Sequence, residues 1–341
     1  MNAPTSTSID TYLAEGLTNK VFPSASLLVS KQGRTLYRKN TGCPDDAIFD
    51  IASLTKPVAT ATLLLKLLEE KRVRLNQPIS TFLKSFETKD KQLITFKQLS
   101  DHISGLPAWK PYFENLLQEQ PNLMARWEAR QWYLQKIASE ELENPIGSKR
   151  VYSDLGFIIL GIIIENVCKT KLEILFKKYV ADSLNLKNTF FLRMGSSSPE
   201  ALERILPTAE VSVKSGRKRK IQAEVHDDNA YALGGVAGHA GLFSTVDDLD
   251  IFLKHIRQNK NKSDIKLGWD SPTAPSQSGQ YFSSNSIGHL GYTGCSMWID
   301  FDQDYHIILL TNRTYPSSDN ERIKTFRPKL HDLIYKTLIL P

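Results

Sequence analysis

Strand-prone segments lie at the two ends of this chain and a long helical stretch separates them, so any sheet that uses both must join residues far apart in sequence. Ala25 to Ser30 and Thr35 to Lys39 are short β-prone runs around Lys31-Gln32-Gly33-Arg34, the pattern of a two-strand hairpin. A third run, Ala47 to Ile51, leads into Ser53. From there Val58, Ala61, Leu64, Leu65 and Leu68 recur at helical spacing as far as Lys71, which predicts an amphipathic helix beginning at about the serine. Near the other end, Gly291 to Phe301 and Tyr305 to Thr311 read as strands around Asp302-Gln303-Asp304, with a closing amphipathic helix over Glu321 to Leu338. Between about Asn76 and Asp250 the signals are mostly helical and loop-like, clearest in Leu155 to Asn166. Ile205 to Val213 and Ile221 to Val225 flank a basic turn, an excursion hairpin, and Asp270 to Ser286 is rich in Ser, Pro, Gln and Gly, a surface loop. The economical architecture is α/β: a sheet domain built from residues 1–75 and 251–341, with 76–250 as a mainly helical inserted domain.

Bulk properties narrow the class. At 341 residues the chain can bury a large core, and 41% hydrophobic with 23% charged residues excludes disorder as its main state. The longest apolar run, Phe157 to Ile164, falls far short of the about 20 residues that span a bilayer, so no membrane span is expected. The start, Met1-Asn2-Ala3-Pro4-Thr5, has neither a basic region nor an apolar core, so cytoplasmic residence is the expectation. Cys43, Cys168 and Cys295 are odd in number and lack CxxC spacing, which argues against a disulfide framework and a zinc knuckle. A net charge of +6 spread over mixed signs gives little reason to expect nucleic acid as a partner.

Three short motifs could carry chemistry. In Ser53-Leu54-Thr55-Lys56, residues three apart on a helix share a face, so the Lys56 amine can reach the Ser53 hydroxyl. A lysine partly desolvated between a strand and an apolar helix would have its pKa lowered and could activate the serine, while the helix start favours negative charge. Ser53 as a plain helix cap and Lys56 as a solvated surface lysine fit the same letters. The spacing recurs at Ser215-Gly216-Arg217-Lys218 and Ser263-Asp264-Ile265-Lys266, both in polar, exposed-looking stretches. In Tyr152-Ser153-Asp154 a tyrosine near cations could act as general base and then acid, or simply be a buried ring. In His289-Leu290-Gly291-Tyr292-Thr293-Gly294, small residues would let a substrate approach the strand while a backbone N–H meets a reacting carbonyl.

Taken together and in this order, Ser53-x-x-Lys56, Tyr152-Ser153-Asp154 and His289-Leu290-Gly291 resemble the penicillin-recognising serine hydrolases: β-lactamases, DD-peptidases and related esterases, most closely the class C-like branch. Ile94 to Leu99, leading to His102-Ile103-Ser104-Gly105-Leu106-Pro107, supports the likeness, which runs from about Ala25 to Thr314. The resemblance implies an antiparallel sheet flanked by helices and an acyl-enzyme on Ser53, with Lys56 its activating partner and Tyr152 a proton relay. It places His289 beside the substrate and makes the Ser53 and Tyr292 amides the oxyanion hole, a device worth roughly 3–4 kcal/mol per donor. It implies no metal and no organic cofactor. The substrate would be a small amide, ester or peptidoglycan-derived molecule, and the oligomeric state stays open.

Two departures bear on substrate. The second motif of this group often ends in Asn, whose amide donates a hydrogen bond, whereas ionised Asp154 has no donor. The third is often Lys-Thr-Gly, and His289 and Leu290 replace its cation and hydroxyl. At 4 Å and an effective dielectric of 20, a lost charge partner removes about 4 kcal/mol of attraction for a substrate carboxylate, so β-lactams are disfavoured against esters, amides and cell-wall peptides. Glu224 to Tyr231 and Gly234 to Gly241 could lend His226, Asp227 and His239 to a metal, but the spacing matches no standard zinc site, and a tight glycine loop near the floor of the cleft fits better. A similar stretch occurs in relatives that look like muropeptide amidases, which raises N-acetylmuramyl-peptide amidase activity in cell-wall recycling as an alternative. A non-hydrolysing receptor for penicillin or peptidoglycan fragments is another. Lys214, Arg217, Lys218, Arg219 and Lys220 read as a solvated hairpin tip, and Trp109, Tyr112 and Phe113 as cleft or core.

Overall fold

The computed structural model describes residues 6–195, 202–211, 215–259 and 265–340. Strands β1 (Ala25–Lys31), β2 (Arg34–Thr41), β6 (Ser286–Leu290), β7 (Ser296–Asp300) and β8 (Tyr305–Thr311) form one sheet in the order β2-β1-β8-β7-β6. Every pairing in it is antiparallel. Leu28 pairs with Ile308 and Leu27 with Leu309, so β1 and β8, far apart in the chain, are hydrogen-bonded neighbours. Strand alternation then divides the apolar residues between two faces. Leu27, Val29, Ile307 and Leu309 pack with Ile9, Leu13, Phe326 and Leu330 of helices α1 (Ser6–Thr18) and α5 (Ile323–Ile334). Leu28, Met297, Ile299 and Ile308 join the larger core through Leu249, Phe252 and Ile256 of α4 (Val246–Gln258).

A smaller sheet, β3 (Phe49–Asp50), β5 (Leu242–Ser244) and β4 (Phe190–Phe191) in the order β3-β5-β4, ties the chain ahead of Ser53 to the middle of the sequence. The helix expected from Ser53 to Lys71 is built in three pieces: a tight 3₁₀ turn over Ala52–Leu54, a wide π-type stretch over Lys56–Ala61 and the α-helix α2 (Thr62–Glu69). Pro57, which has no N–H, sits at the start of the wide stretch, and Thr62 Oγ1 donates to its carbonyl at 2.9 Å.

Helix α3 (Asp154–Cys168) is apolar all round and runs buried from Leu155 to Glu165, as its composition requires. A Cβ on its Gly161 would lie 2.9 Å from the Gly238 backbone, and one on Gly238 would lie 2.1 Å from the Phe157 carbonyl. Only glycine at both positions lets the 234–241 loop press against α3. No helix among the described residues is long and apolar enough to cross a membrane.

Candidate active site

Ser53 follows a strained turn. Ala52 has φ +47°, a conformation unfavourable for any residue with a Cβ, and the Asp50 carboxylate holds its N–H at 2.8 Å. The next turn brings Lys56 Nζ to 2.8 Å from Ser53 Oγ. The lysine is fully buried and also donates to the His239 carbonyl at 3.3 Å. Its ion-pair partner is Asp154, whose Oδ1 lies 2.7 Å from the ammonium.

This pair reverses one expectation. Burial alone lowers the Lys56 pKa, but the charge of Asp154, with the hydrogen bonds to Asp154 and Tyr152, outweighs it, and the group is held above its usual range. Lys56 is therefore a fixed cation that donates to Ser53, and not the neutral amine that desolvation by itself would give.

Ser153 caps α3, its Oγ accepting the Gly156 N–H at 3.3 Å, and this sets Tyr152 just ahead of the helix with Asp154 in its first turn. The Ser153 N–H donates to His102 Nδ1 at 3.0 Å, and the Asp154 N–H to the Ala108 carbonyl at 2.9 Å. Lys56 Nζ lies 4.7 Å from the Tyr152 ring centroid. Tyr152 exposes about a third of its surface (36%), but the protein packed around its phenol raises the pKa, and the opposing pull of Lys56 and of hydrogen bonds with Lys56 and Ser53 does not overcome it. At neutral pH the phenol keeps its proton, within hydrogen-bond contact of the serine.

On the facing side, His289 lies at the end of β6, and Gly291 to Gly294 form the turn into β7, where a continuous strand was expected. Gly294 has φ +95°, which a strand does not tolerate but glycine does. A Cβ on Gly291 would meet the Ile51 carbonyl at 2.6 Å, so this turn can lie against the nucleophile segment only with glycine there. Tyr292 is exposed and Leu290 half-buried. Among the described residues, no protein acceptor takes the Ser53 or the Tyr292 amide. His289 donates its Nδ1–H to the Leu290 carbonyl at 2.9 Å, which leaves Nε2 as a buried acceptor with no protein partner. Burial pushes its pKa down to about 4, so the ring is neutral at physiological pH.

His226, Asp227 and His239 form no metal cluster among the described residues; His239 Nε2 bonds Asp227 Oδ1 at 2.8 Å instead. Arg217 is no part of a solvated tip: it is buried, donating to the Val225 and His226 carbonyls and pairing with Asp228. The chain turns it inward because those carbonyls need a donor. Ser215 is buried beside it, which removes the second SxxK match from the surface, while Ser263 of the third lies outside the described residues, as does Lys214. Tyr112 and Phe113 are core, and Trp109 is exposed. Asp50 went unnoticed in sequence because one acidic letter three residues before a serine carries no pattern. Helix α1 was also missed, although Ile9, Leu13 and Gly16 have helical spacing.

Residues 9–330 match the family model described as Beta-lactamase. A protein of Bacillus subtilis (strain 168) named N-acetylmuramyl-L-alanine amidase is 30% identical over 349 residues, covering 86% of this chain and 78% of the relative. Among solved structures, "EstCE1, a hydrolase with promiscuous acyltransferase activity" aligns over 97% of this chain and 98% of its own with TM-score 0.73 at 18% identity. A Beta-lactamase/D-alanine Carboxypeptidase from Yersinia pestis aligns over 96% of this chain and 97% of its own, with TM-score 0.67 at 18% identity. At such identities the two structures speak for the fold.

Proposed function

The chain belongs to the Beta-lactamase family of hydrolases, and from that premise we propose that it is a serine amidase that cleaves a neutral amide of a peptidoglycan-derived molecule through an acyl-enzyme on Ser53. The observation that carries the proposal is the Ser53–Lys56–Asp154 chain centred on a buried lysine, 2.8 Å and 2.7 Å in its two contacts, with Tyr152 against it. The amidase relative supports the substrate class.

With Lys56 cationic and Tyr152 neutral, the proton path is a relay. Ser53 Oγ attacks the carbonyl carbon; its proton passes to the Tyr152 oxygen as the Tyr152 proton passes to the leaving nitrogen, and the C–N bond breaks. Water then attacks the ester, giving a proton to Tyr152 while Tyr152 returns one to Ser53 Oγ, and the carboxylic acid leaves. Lys56 stabilises the negative charge shared by the two oxygens, and the Ser53 and Tyr292 amides receive the carbonyl oxygen. A neutral His289 offers a substrate an acceptor and no cation, which favours an internal amide over a substrate defined by its carboxylate.

Product analysis on muramyl peptides, D-Ala-D-Ala peptides and p-nitrophenyl esters tests the reading. Release of free peptide from muramyl peptide, lost together with fluorophosphonate labelling in Ser53→Ala, is the expected result. Labelling that survives in Ser53→Ala, or turnover of D-Ala-D-Ala peptides alone, would overturn it.

A further inference from the structure

We infer that Asp50 is the positioning residue of the oxyanion hole, joining the backbone that presents the Ser53 amide to the backbone that presents the Tyr292 amide. The inference rests on the reading of Ser53 as nucleophile. Asp50 ends β3, is 2% exposed and makes three connections. Oδ1 accepts the N–H of Ala52, the residue whose positive φ aims Ser53. Its backbone carbonyl accepts the Thr293 hydroxyl at 2.8 Å, one residue beyond Tyr292. Oδ2 accepts the His226 N–H at 2.7 Å, and the His226 ring stacks on the Tyr292 ring with centroids 5.7 Å apart at 27°. Arg313 completes the hold on Tyr292, its guanidinium 4.5 Å from the ring centroid and its Nε–H donating to the Tyr292 carbonyl at 2.8 Å.

Burial penalises a carboxylate, so each of its oxygens has to be matched by a donor. Burial pushes Asp50 up to about 6, against the lowering effect of the His226 and Ala52 N–H groups; Asp227 adds to the rise, and Arg217 opposes it. Two acceptor oxygens at one point are what the carboxylate supplies, and an amide or a protonated acid supplies fewer. Protonation should therefore release one of the two N–H groups and loosen one side of the hole. The groups facing Asp50 include His226, pushed down to about 4 by burial, Asp227 with its partner His239, Arg217, and the Cys295 thiol, 3.7 Å from the Asp50 carbonyl.

The test uses the full chain with Asp50→Asn, Asp50→Glu and Ser53→Ala, a p-nitrophenyl ester as substrate and a fluorophosphonate as acylating probe. We expect Asp50→Asn to lower kcat and the acylation rate at least about ten-fold with KM within about two-fold. Its melting temperature should change little, because the relief of carboxylate burial offsets the one N–H that loses its acceptor. The wild type should lose acylation rate as pH falls through about 6, and Asp50→Asn should lack that step. An Asp50→Asn rate equal to wild type, a loss confined to KM, or an acid step that persists in the variant would each overturn the inference. If Asp50→Asn does not fold, Asp50→Glu decides: a folded variant with partial activity and a displaced acid step supports the inference, and an unmoved step refutes it. Ser53→Ala separates the two claims: acylation surviving in it removes the nucleophile reading itself, whereas a dead Ser53→Ala beside a fully active Asp50→Asn removes only the role of Asp50.

Discussion

Replacing Asp154 by Asn changes one atom and restores the residue that related sequences often carry, so it isolates the charge. At 2.7 Å and an effective dielectric of about 20, the attraction between Lys56 and Asp154 is about 6 kcal/mol before desolvation is subtracted. Removing one partner of a buried pair typically costs about 3–5 kcal/mol, and Asn keeps shape and an acceptor, so a loss near about 3 kcal/mol is expected. The Asp154 side chain is 18% exposed, so solvent screens this little. For a chain of 341 residues, whose unfolding entropy is about 0.7 kcal/mol/K, that loss lowers Tm by about 4 °C. The sign with pH follows from Lys56: its folded pKa is raised, so its stabilisation is fully present below the unfolded value of about 10.4 and lost only above it. The gap between wild type and variant should therefore be constant on the acid side and narrow toward alkaline pH, where the variant's buried Lys56 loses its proton. In the variant, burial of Lys56 is no longer offset by Asp154, its pKa falls, and the acylation rate should decline toward alkaline pH where wild type stays level. Calorimetry across that range and stopped-flow acylation by a fluorophosphonate give both readouts. An unchanged Tm together with an unchanged pH profile would refute the reasoning.

The empty acceptor on His289 predicts a gain of function: His289→Lys should raise the rate of penicillin acylation at least about ten-fold, part of the about 4 kcal/mol that a cation at 4 Å can supply, with little effect on a neutral ester. Equal effects on both substrates would show that the site reads something other than charge. Behind the site, Arg130 and Glu165 pair at 2.6 Å with side chains 7% and 4% exposed, and Arg130 also donates to the Leu233 and Val236 carbonyls of the glycine-rich loop. Glu165→Ala should cost about 3–5 kcal/mol in urea unfolding, since it leaves a buried cation unpaired.

The three chemical motifs and the pairing of the two chain ends could be read directly from the letters, because each rests on local spacing or on alternation along a single strand. Lys56 next to Ser53 is a consequence of helix geometry, and β1 beside β8 of two apolar runs that each need an edge. What could not be read was every property set by a partner distant in sequence. The protonation state of Lys56 depends on Asp154, ninety-eight residues away, and its predicted direction was wrong for that reason. The inward turn of Arg217 depends on carbonyls at Val225 and His226, which look like any other backbone. The strand expected through Gly291 fails because a turn of glycines and a strand with glycines share a composition, and only φ at Gly294 separates them.

The two departures from the common pattern act on one quantity. Where relatives carry Lys, Asn and Lys in the three motifs, the site has two formal positive charges. Here Lys56 is balanced by Asp154, and His289 is neutral, so these three positions sum to zero. Either change alone would leave a site with one net charge, and together they remove the field that would draw a carboxylate toward the scissile bond. A substrate then has to be held by hydrogen bonds and shape, and the bond cleaved has to lie in a stretch without its own charge. An amide linking a sugar-borne acyl group to a peptide meets that condition at the scissile bond, and a penicillin or a C-terminal D-alanine does not. The charge balance of the motifs is thus the physical basis for the proposed preference for an internal amide over a carboxylate-bearing substrate.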